Sequence, residues 1–239
     1  MLPDWPTLFG ARPLDRRALP LTLAGPTIWF AATHAADLSA VAEREFLTAS
    51  ERERADRFRF PPPRQHFVLG RLAAKLALTA ALGQGRLLDC EILNGTGGEP
   101  LVTRPAAGSQ AVTLSHGSGL AVALAFPQSL AMGIDVEALE AGRADTVRQA
   151  VAMTPAEAGW VGSGELDPVG ANLAVWAARE AMGKLLRCGL SHPWEQLGVG
   201  GFHRLNDTQW QCVYQHQPGV EGRVLMGGTH VLAMAWARR

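Results

Sequence analysis

Short apolar runs, and runs in which apolar and polar residues alternate, predict the strands of this chain. Side chains alternate between two faces along a strand, so each such run can bury one face or both. The predicted strands cover residues 27–32, 90–93, 112–114, 120–126, 131–136, 197–202, 210–215, 223–226 and 230–236.

Apolar residues spaced by three or four positions predict helices between these strands. The predicted helices cover residues 36–46, 50–58, 64–82, 147–151, a segment that begins at 154, and 170–187. Ser50 and Glu53 have capping-box spacing, and Thr154-Pro155-Ala156-Glu157 has the same spacing with a proline at the first helical position. Pro61 to Pro63 are expected to stop the second helix, and Gly83 to end the third.

The order of these elements predicts an α+β fold with two halves, each a long helix packed on antiparallel strands. Residues 1–26 are rich in proline and are expected to form an irregular N-terminal arm. Residues 27–127 would form the first half and residues 128–239 the second. This crude duplication places a ligand naturally between the halves.

Two carboxylates lie two residues apart in the predicted strand Gly133-Ile134-Asp135-Val136-Glu137. Asp135 and Glu137 would share one face, while Ile134 and Val136 would face the core. Such close carboxylates repel each other, and a bound Mg²⁺ is a common resolution because it takes carboxylate oxygens. The simpler alternative is a solvated strand end.

The helix predicted at 64–82 carries Arg64, Arg71 and Lys75 on one stripe, and no acidic residue lies between positions 57 and 88. An anionic ligand would explain this stripe, and a solvated basic face is the alternative. Only Lys75 and Lys184 are lysines among 22 basic residues. Either these two sites require a compact ammonium that can give up a proton, or the two lysines were retained by chance.

Residues 112–126 predict a hairpin with His116 near its tip. Ser115 and His116 are candidates to hold a phosphate, although a histidine at a tip is most often simply exposed. The sequence does not favour a Ser-His-Asp hydrolase, because there is no nucleophile elbow and adjacent serine and histidine rarely meet in triad geometry.

The helix predicted at 170–187 has an ordered polar face, which carries Trp176, Glu180, Lys184 and Arg187. Glu180 and Lys184 could form an ordinary i, i+4 ion pair. The presence of a tryptophan and one of the two lysines on the same face favours a functional site instead.

Composition limits the possible partners and the compartment. The formal net charge of zero gives no general attraction to nucleic acid or to an anionic membrane. The three cysteines are an odd number without metal-site spacing, which suits a reducing compartment. The N-terminus does not have the pattern of a signal peptide, and no apolar run reaches membrane-spanning length, so we expect a cytoplasmic protein.

Four motifs, in this order and spacing, resemble the signature of the Sfp-type 4′-phosphopantetheinyl transferase family. The resemblance extends over roughly residues 27–236, and the segment Ser50–Phe58 also resembles the arginine-rich element of this family. The motifs are Gly-Glu-Pro at 98–100, Ser115-His116, Gly133-Ile-Asp-Val-Glu137 and Trp176-Ala-Ala-Arg-Glu-Ala-Met-Gly-Lys184.

The resemblance implies two similar α/β halves related by a pseudo-twofold axis, and it implies an activity. That activity is the transfer of 4′-phosphopantetheine from coenzyme A to a serine of an apo acyl or peptidyl carrier protein, with release of adenosine 3′,5′-bisphosphate. Such carriers serve fatty acid, polyketide or nonribosomal peptide biosynthesis. A monomer would suffice, since both halves lie in one chain.

The resemblance also assigns roles residue by residue. Asp135, Glu137 and Glu180 match the carboxylates that bind Mg²⁺, and Glu180 matches the base for the carrier serine. Lys184 matches the residue that neutralises the pyrophosphate and can protonate the leaving phosphate. His116, with Ser115, matches the contact to the 3′-phosphate of coenzyme A.

Cations of the first half would serve the nucleotide phosphates. Arg54 best matches a basic position of the family, whereas Arg71 and Lys75 depend on the stripe described above. Glu99 stands where the family usually has a basic residue, which bears on the affinity for coenzyme A. Two other departures, Gly117 and Arg179, leave the neighbouring motif residues intact.

Two other classes of function are compatible with these residues. One is a binding protein on the same scaffold that holds coenzyme A or a carrier without turnover. The other is an unrelated Mg²⁺-dependent enzyme acting on a nucleotide. The combination of three carboxylates with Lys184 favours the transferase, since a binding protein needs no such set.

Overall fold

The computed structural model describes residues 18–22, 26–83, 85–105, 109–150, 152–188 and 193–238. The chain separates into two compact units, and among these residues the first unit ends at Leu130 and the second begins at Ala131. In both units helices pack on antiparallel sheets, which confirms the predicted α+β class.

The first unit is built on a four-stranded antiparallel sheet with the order β1-β2-β6-β5 and on a separate ribbon of β3 and β4. Short apolar runs form the central strands, and β6 is buried along nearly its whole length. The strands are β1 Leu19–Thr22, β2 Thr27–His34, β3 Glu91–Asn94, β4 Pro100–Arg104, β5 Gln110–Gly117 and β6 Leu120–Pro127.

In the described part of the first unit, two α-helices accompany this sheet, α1 at Ala49–Asp56 and α2 at Pro61–Ala81. Helix α2 packs on β2, β5 and β6 through small and aliphatic residues such as Leu69, Ala73 and Ala77, all at 0% exposure. Small residues on both sides let the helix lie close to the sheet and bury apolar area.

The second unit is built on a five-stranded antiparallel sheet with the order β7-β11-β10-β9-β8. Its strands are β7 Met132–Ala138, β8 Val199–Asn206, β9 Gln209–Tyr214, β10 Val220–Met226 and β11 His230–Ala237. Its helices are α3 Ala141–Ala150, α4 Pro155–Val161 and α5 Pro168–Leu185.

Helix α5 is the central helix of the second unit and packs on β7, β10 and β11. It begins because the Asp167 side chain accepts hydrogen bonds from the amides of Val169 and Gly170, with Pro168 at its first position. The Tyr214 hydroxyl donates to the carbonyl of Ala178 at 2.8 Å, which ties the middle of the helix to the sheet.

The capping box predicted at Thr154 and Glu157 is present, but three helical expectations were wrong. Residues 36–46 form two short 3₁₀ segments, Ala35–Ser39 and Glu43–Glu45, because the Asp37 carboxylate accepts from the His34 amide and fixes a tight turn.

The start of α1 and the role of the prolines also differ from the predictions. Helix α1 is capped by Thr48 and Glu51, not by Ser50 and Glu53. Pro61 to Pro63 begin α2 and do not end α1, since the first amides of a helix need no partner within it.

The predicted N-terminal arm lies largely outside the described residues. Within it, Leu19–Thr22 is not irregular but pairs with β2 as an antiparallel edge strand. None of the described helices has the length and apolar character needed to span a bilayer.

Candidate active site

Helix α5 lies directly against β7 at Gly133. A Cβ atom at this position would be 1.9 Å from the carbonyl oxygen of Ala181 and 2.7 Å from the amide nitrogen of Leu185. Only glycine permits this approach, because both neighbours are backbone atoms that cannot move aside. The contact brings the polar face of α5 to the strand that carries the acidic pair.

The two faces of β7 are divided as the sequence predicts. Ile134 and Val136 are buried at 0% and 2% exposure. Asp135 and Glu137 lie on the opposite face, on the same side as Gly133, and therefore meet α5. Asp135 is 4% exposed, and Glu137 is half-buried.

Two side chains of α5 bond across to β7. The Lys184 ammonium donates to Oδ1 of Asp135 at 2.8 Å and to the carbonyl of Ile134 at 3.0 Å. The Trp176 indole Nε1 donates to Oε1 of Glu137 at 2.7 Å. Lys184 therefore bonds to β7 and is not simply the i+4 ion-pair partner of Glu180 on the helix surface. Arg187, also predicted on this face, follows the end of the helix with φ 55°.

Glu180 lies half-buried between these contacts. The pKa of its carboxyl is raised to about 7, chiefly by burial and in part by the negative charges of Asp135 and Glu137, while Lys184 and Arg143 oppose the shift. A carboxyl group with this pKa can exchange a proton near neutral pH. The three predicted carboxylates are thus electrostatically coupled.

Arg143 on α3 belongs to this cluster, and sequence analysis missed it. Its Nε and one terminal nitrogen donate to the two oxygens of Glu137 at 2.9 and 2.5 Å. Its guanidinium carbon lies 5.3 Å from the centre of the Trp176 ring. The bond to Glu137 raises the pKa of Arg143, as do the charges of Asp135 and Glu180. Arg143 lies six positions after Glu137, and neither the helical nor the strand period predicts a contact at this spacing.

The donor set suits a hard divalent cation in its chemistry, because Asp135 and Glu137 raise the pKa of Glu180 through their charges and a positive charge would relieve this repulsion. In the present arrangement, however, the described residues contain no group of three or more His, Cys, Asp or Glu placed to hold a metal ion. Glu137 is bonded by Arg143 and Trp176, and Asp135 by Lys184. Asp135, Glu137 and Glu180 would hold the cation after these bonds rearrange.

The cationic stripe of α2 is largely paired with acidic residues of the first unit that are not local in sequence. Lys75, at 0% exposure, bonds to Glu51 and to the carbonyl of Phe46, both at 2.6 Å. Arg64 forms a two-point ion pair with Glu43. The acids come from segments distant in sequence, which is why the local sequence gave no sign of them. This position does not support the predicted phosphate contact for Lys75.

Arg71 is buried but retains donors. It is 3% exposed, donates to Oδ1 of Asn94 at 2.6 Å and lies 4.5 Å from the centre of the Phe67 ring. Its pKa is lowered to about 10, chiefly by burial and in part by the charge of Arg54, while the charge of Glu51 opposes the shift, so the side chain stays cationic at neutral pH. Its Nε has no hydrogen-bond partner among the described residues.

The other predicted first-unit residues occupy accessible or adjoining positions. Arg54 is exposed on α1, with its guanidinium carbon 5.4 Å from the centre of the Phe58 ring. Ser115 is buried on β5, and the exposed His116 stacks on His66 at 5.0 Å between ring centres. A polar, cationic surface of this kind can receive a phosphate.

Glu99 has a local role that the sequence did not indicate. One of its carboxylate oxygens accepts from the Gly97 amide at 2.9 Å, and the side chain lies over Gly95. The acid therefore orders its own turn.

The predicted site residues divide between the two units. Asp135, Glu137, Glu180 and Lys184 are brought together in the second unit by β7 and α5. The five residues predicted to bind coenzyme A belong to the first unit and are Arg54, Arg71, Lys75, Ser115 and His116.

Comparison with known proteins gives a partial likeness in fold. No protein-family model matches the chain, and no curated protein matches it. A holo-(acyl-carrier-protein) synthase from Bacillus anthracis, solved in complex with CoA (3′,5′-ADP), is 28% identical with a TM-score of 0.36, over 41% of this chain and 91% of its own.

Two further synthases give the same result. The Helicobacter pylori holo-[acyl-carrier-protein] synthase, in complex with coenzyme A, is 22% identical with a TM-score of 0.36, over 42% of this chain and 99% of its own. The Thermotoga maritima holo-[acyl-carrier-protein] synthase is 24% identical with a TM-score of 0.34, over 47% of this chain and 76% of its own. The likeness spans less than half of this chain.

Proposed function

We propose that this protein transfers 4′-phosphopantetheine from coenzyme A to a serine of an apo acyl or peptidyl carrier protein, with Mg²⁺ as its cofactor. The observation that carries the proposal is the meeting of two motifs about 40 residues apart. Asp135 and Glu137 on β7 lie against Trp176, Glu180 and Lys184 on α5, with direct bonds between the two elements.

Phosphoryl transfer depends mainly on positioning and on the neutralisation of charge. Mg²⁺ held by Asp135, Glu137 and Glu180 would supply Lewis-acid stabilisation of the pyrophosphate oxygens. The Lys184 ammonium, oriented by Asp135, would face the negative charge that grows on the leaving phosphate.

Glu180 is the candidate base. In the reaction, the serine oxygen forms a bond to the phosphorus that carries the pantetheine arm, and the bond to the leaving phosphate of adenosine 3′,5′-bisphosphate breaks. The serine proton passes to a carboxylate oxygen of Glu180, which can act as a general base.

Residues of the first unit would bind the phosphates of coenzyme A. Arg54 and His116 are exposed, and Arg71 remains cationic beside Arg54. Ser115 would add a hydroxyl donor. Lys75 is omitted from this set, since its ammonium is enclosed with Glu51.

The test is intact-mass spectrometry of apo carrier proteins incubated with this protein, coenzyme A and Mg²⁺. We expect a gain of one phosphopantetheine in wild type, its loss with EDTA, and its loss in Glu180→Gln with coenzyme A binding retained. Glu195→Gln, an exposed acid of the same unit, is the matched control and should transfer normally. Near-normal transfer by Glu180→Gln would show that Glu180 is not the base of the reaction.

A non-catalytic protein that binds coenzyme A or a carrier is the second candidate. It is favoured by one observation, namely that Arg143, Trp176 and Lys184 already bond the carboxylates that a metal would need. Binding of coenzyme A without any gain in carrier mass, across acyl and peptidyl carriers, would establish this candidate in place of the transferase.

A further inference from the structure

Arg143 places a positive charge beside the three carboxylates of the site. It makes two bonds to Glu137, and its charge interacts with those of Asp135 and Glu180 as well. It comes from α3, outside both motifs of the site, so nothing in the proposed reaction accounts for it.

The two oxygens of Glu137 are held differently. Oε1 accepts from both Arg143 and the Trp176 indole, at 2.5 and 2.7 Å, whereas Oε2 accepts from Arg143 at 2.9 Å. Departure of the guanidinium would therefore release Oε2 and leave Oε1 fixed by the indole. The carboxylate would keep its orientation and gain an open coordination position.

Arg143 is able to leave this position. Its side chain is 38% exposed, compared with 12% for Glu137, and it lies over the Trp176 ring at the edge of the site. A partly solvated guanidinium regains hydration when it separates from a carboxylate, and this hydration offsets part of the free energy of the two-point bond.

We propose that Arg143 is an exchangeable counter-cation, which holds Glu137 in the metal-free protein and gives up this carboxylate when a divalent cation binds. This inference rests on the Mg²⁺ site of the proposed function. Arg143 acts through Glu137 and is thus a positioning residue. It keeps the acidic cluster neutralised and Glu137 correctly oriented until the metal arrives.

Calorimetric titration with Mg²⁺ alone tests the exchange. Arg143→Ala removes the competitor, so the variant should bind Mg²⁺ roughly three- to tenfold more tightly than wild type. Arg143→Lys keeps the positive charge but lacks the planar fork that bonds both carboxylate oxygens. Its affinity for Mg²⁺ should therefore lie between those of wild type and Arg143→Ala. Arg148→Ala on the same helix is the matched control, since its 65% exposed side chain pairs only with Asp145 among the described residues, and its affinity should stay within about twofold of wild type.

The direction of the change separates exchange from a merely structural role, because damage to the site would weaken Mg²⁺ binding. Equal or weaker binding by both Arg143→Ala and Arg143→Lys, with unfolding midpoints near that of wild type, overturns the inference. If neither wild type nor either variant binds Mg²⁺, both the exchange inference and the proposed Mg²⁺ site are refuted.

The carrier-mass assay, run in parallel, keeps the two proposals apart. Transfer in wild type without tighter Mg²⁺ binding in Arg143→Ala refutes the exchange alone. Tighter Mg²⁺ binding in Arg143→Ala without transfer by wild type supports the exchange and refutes the transferase.

Discussion

Charged side chains inside each unit differ in whether their burial is compensated. Lys75 and Glu51 are both at 0% exposure, yet they bond each other and their remaining polar atoms meet backbone groups of Phe46, Thr48 and Ile92. Glu180 is half-buried among like charges, and its ionised form is disfavoured. The first pair supports the fold, while Glu180 weakens the fold in favour of a reactive site.

The stability of the metal-free protein should reveal this cost. The pKa of Glu180 is about 7 when folded, against 4.5 without the perturbation. The folded state therefore holds the proton more tightly, and the stability contributed by this group is lost as the pH rises from 4.5 towards 7. Glu180→Gln removes the ionisation, so it should raise the unfolding free energy at about pH 8.5 by on the order of 1–3 kcal/mol.

Thermal unfolding with EDTA at two pH values measures this effect. At about pH 5 the gain from Glu180→Gln should shrink to a minor part of its value at pH 8.5, because the folded wild type is then protonated. The same substitution at Glu195 should change neither value. A gain that is equal at both pH values would show that Glu180 is not the titrating group.

At the scale of elements, the contact between β7 and α5 decides the geometry of the site. The acidic strand and the Trp176–Lys184 helix face meet only because Gly133 has no side chain. The approach also explains how Lys184 reaches Asp135 and how Trp176 reaches Glu137. One glycine, which carries no chemistry of its own, thus aligns both motifs.

Gly133→Ala should destabilise the protein by about 3 kcal/mol or more, since its Cβ would collide with helix backbone. Urea unfolding measures the change. Gly142→Ala on α3, where a Cβ would meet nothing within 4 Å, is the control and should be neutral or up to about 1 kcal/mol stabilising. An equal, small effect of both substitutions would contradict the proposed close packing.

At the scale of the whole molecule, each unit has a hydrophobic core of its own, and each core encloses a cysteine. Cys90 is 2% exposed in the first unit and Cys212 is 0% exposed in the second. Burial raises the pKa of both thiols, that of Cys212 to about 12. Cys188, after the end of α5, is only half-buried.

Thiol titration with a disulfide reagent at about pH 8 should therefore detect one readily reacting cysteine in the folded protein and all three after unfolding in guanidinium. Cys188→Ser should abolish the fast reaction and leave two thiols after unfolding. Rapid reaction of two or three thiols in the native protein would show that one of the cores is open to solvent.

Elements with a clear period were predictable, and elements fixed by distant contacts were not. The strands of the second unit and the Thr154 cap follow from local pattern and cap chemistry. The segment 36–46 has a helical composition, but its chain path is set by Asp37 and by the burial of Val41 and Phe46 against the first unit. Local propensity cannot anticipate such contacts.

The sequence by itself determined which residues share a face. Asp135 and Glu137 project together from β7, and Trp176, Glu180 and Lys184 share one side of α5, because strand and helix periods are properties of the local backbone. Only the tertiary structure decided the partner of each charge. Lys75 pairs with Glu51, Lys184 pairs with Asp135, and Arg143 pairs with Glu137. Ion pairs of this kind form wherever folding brings opposite charges together, and no local period encodes that meeting.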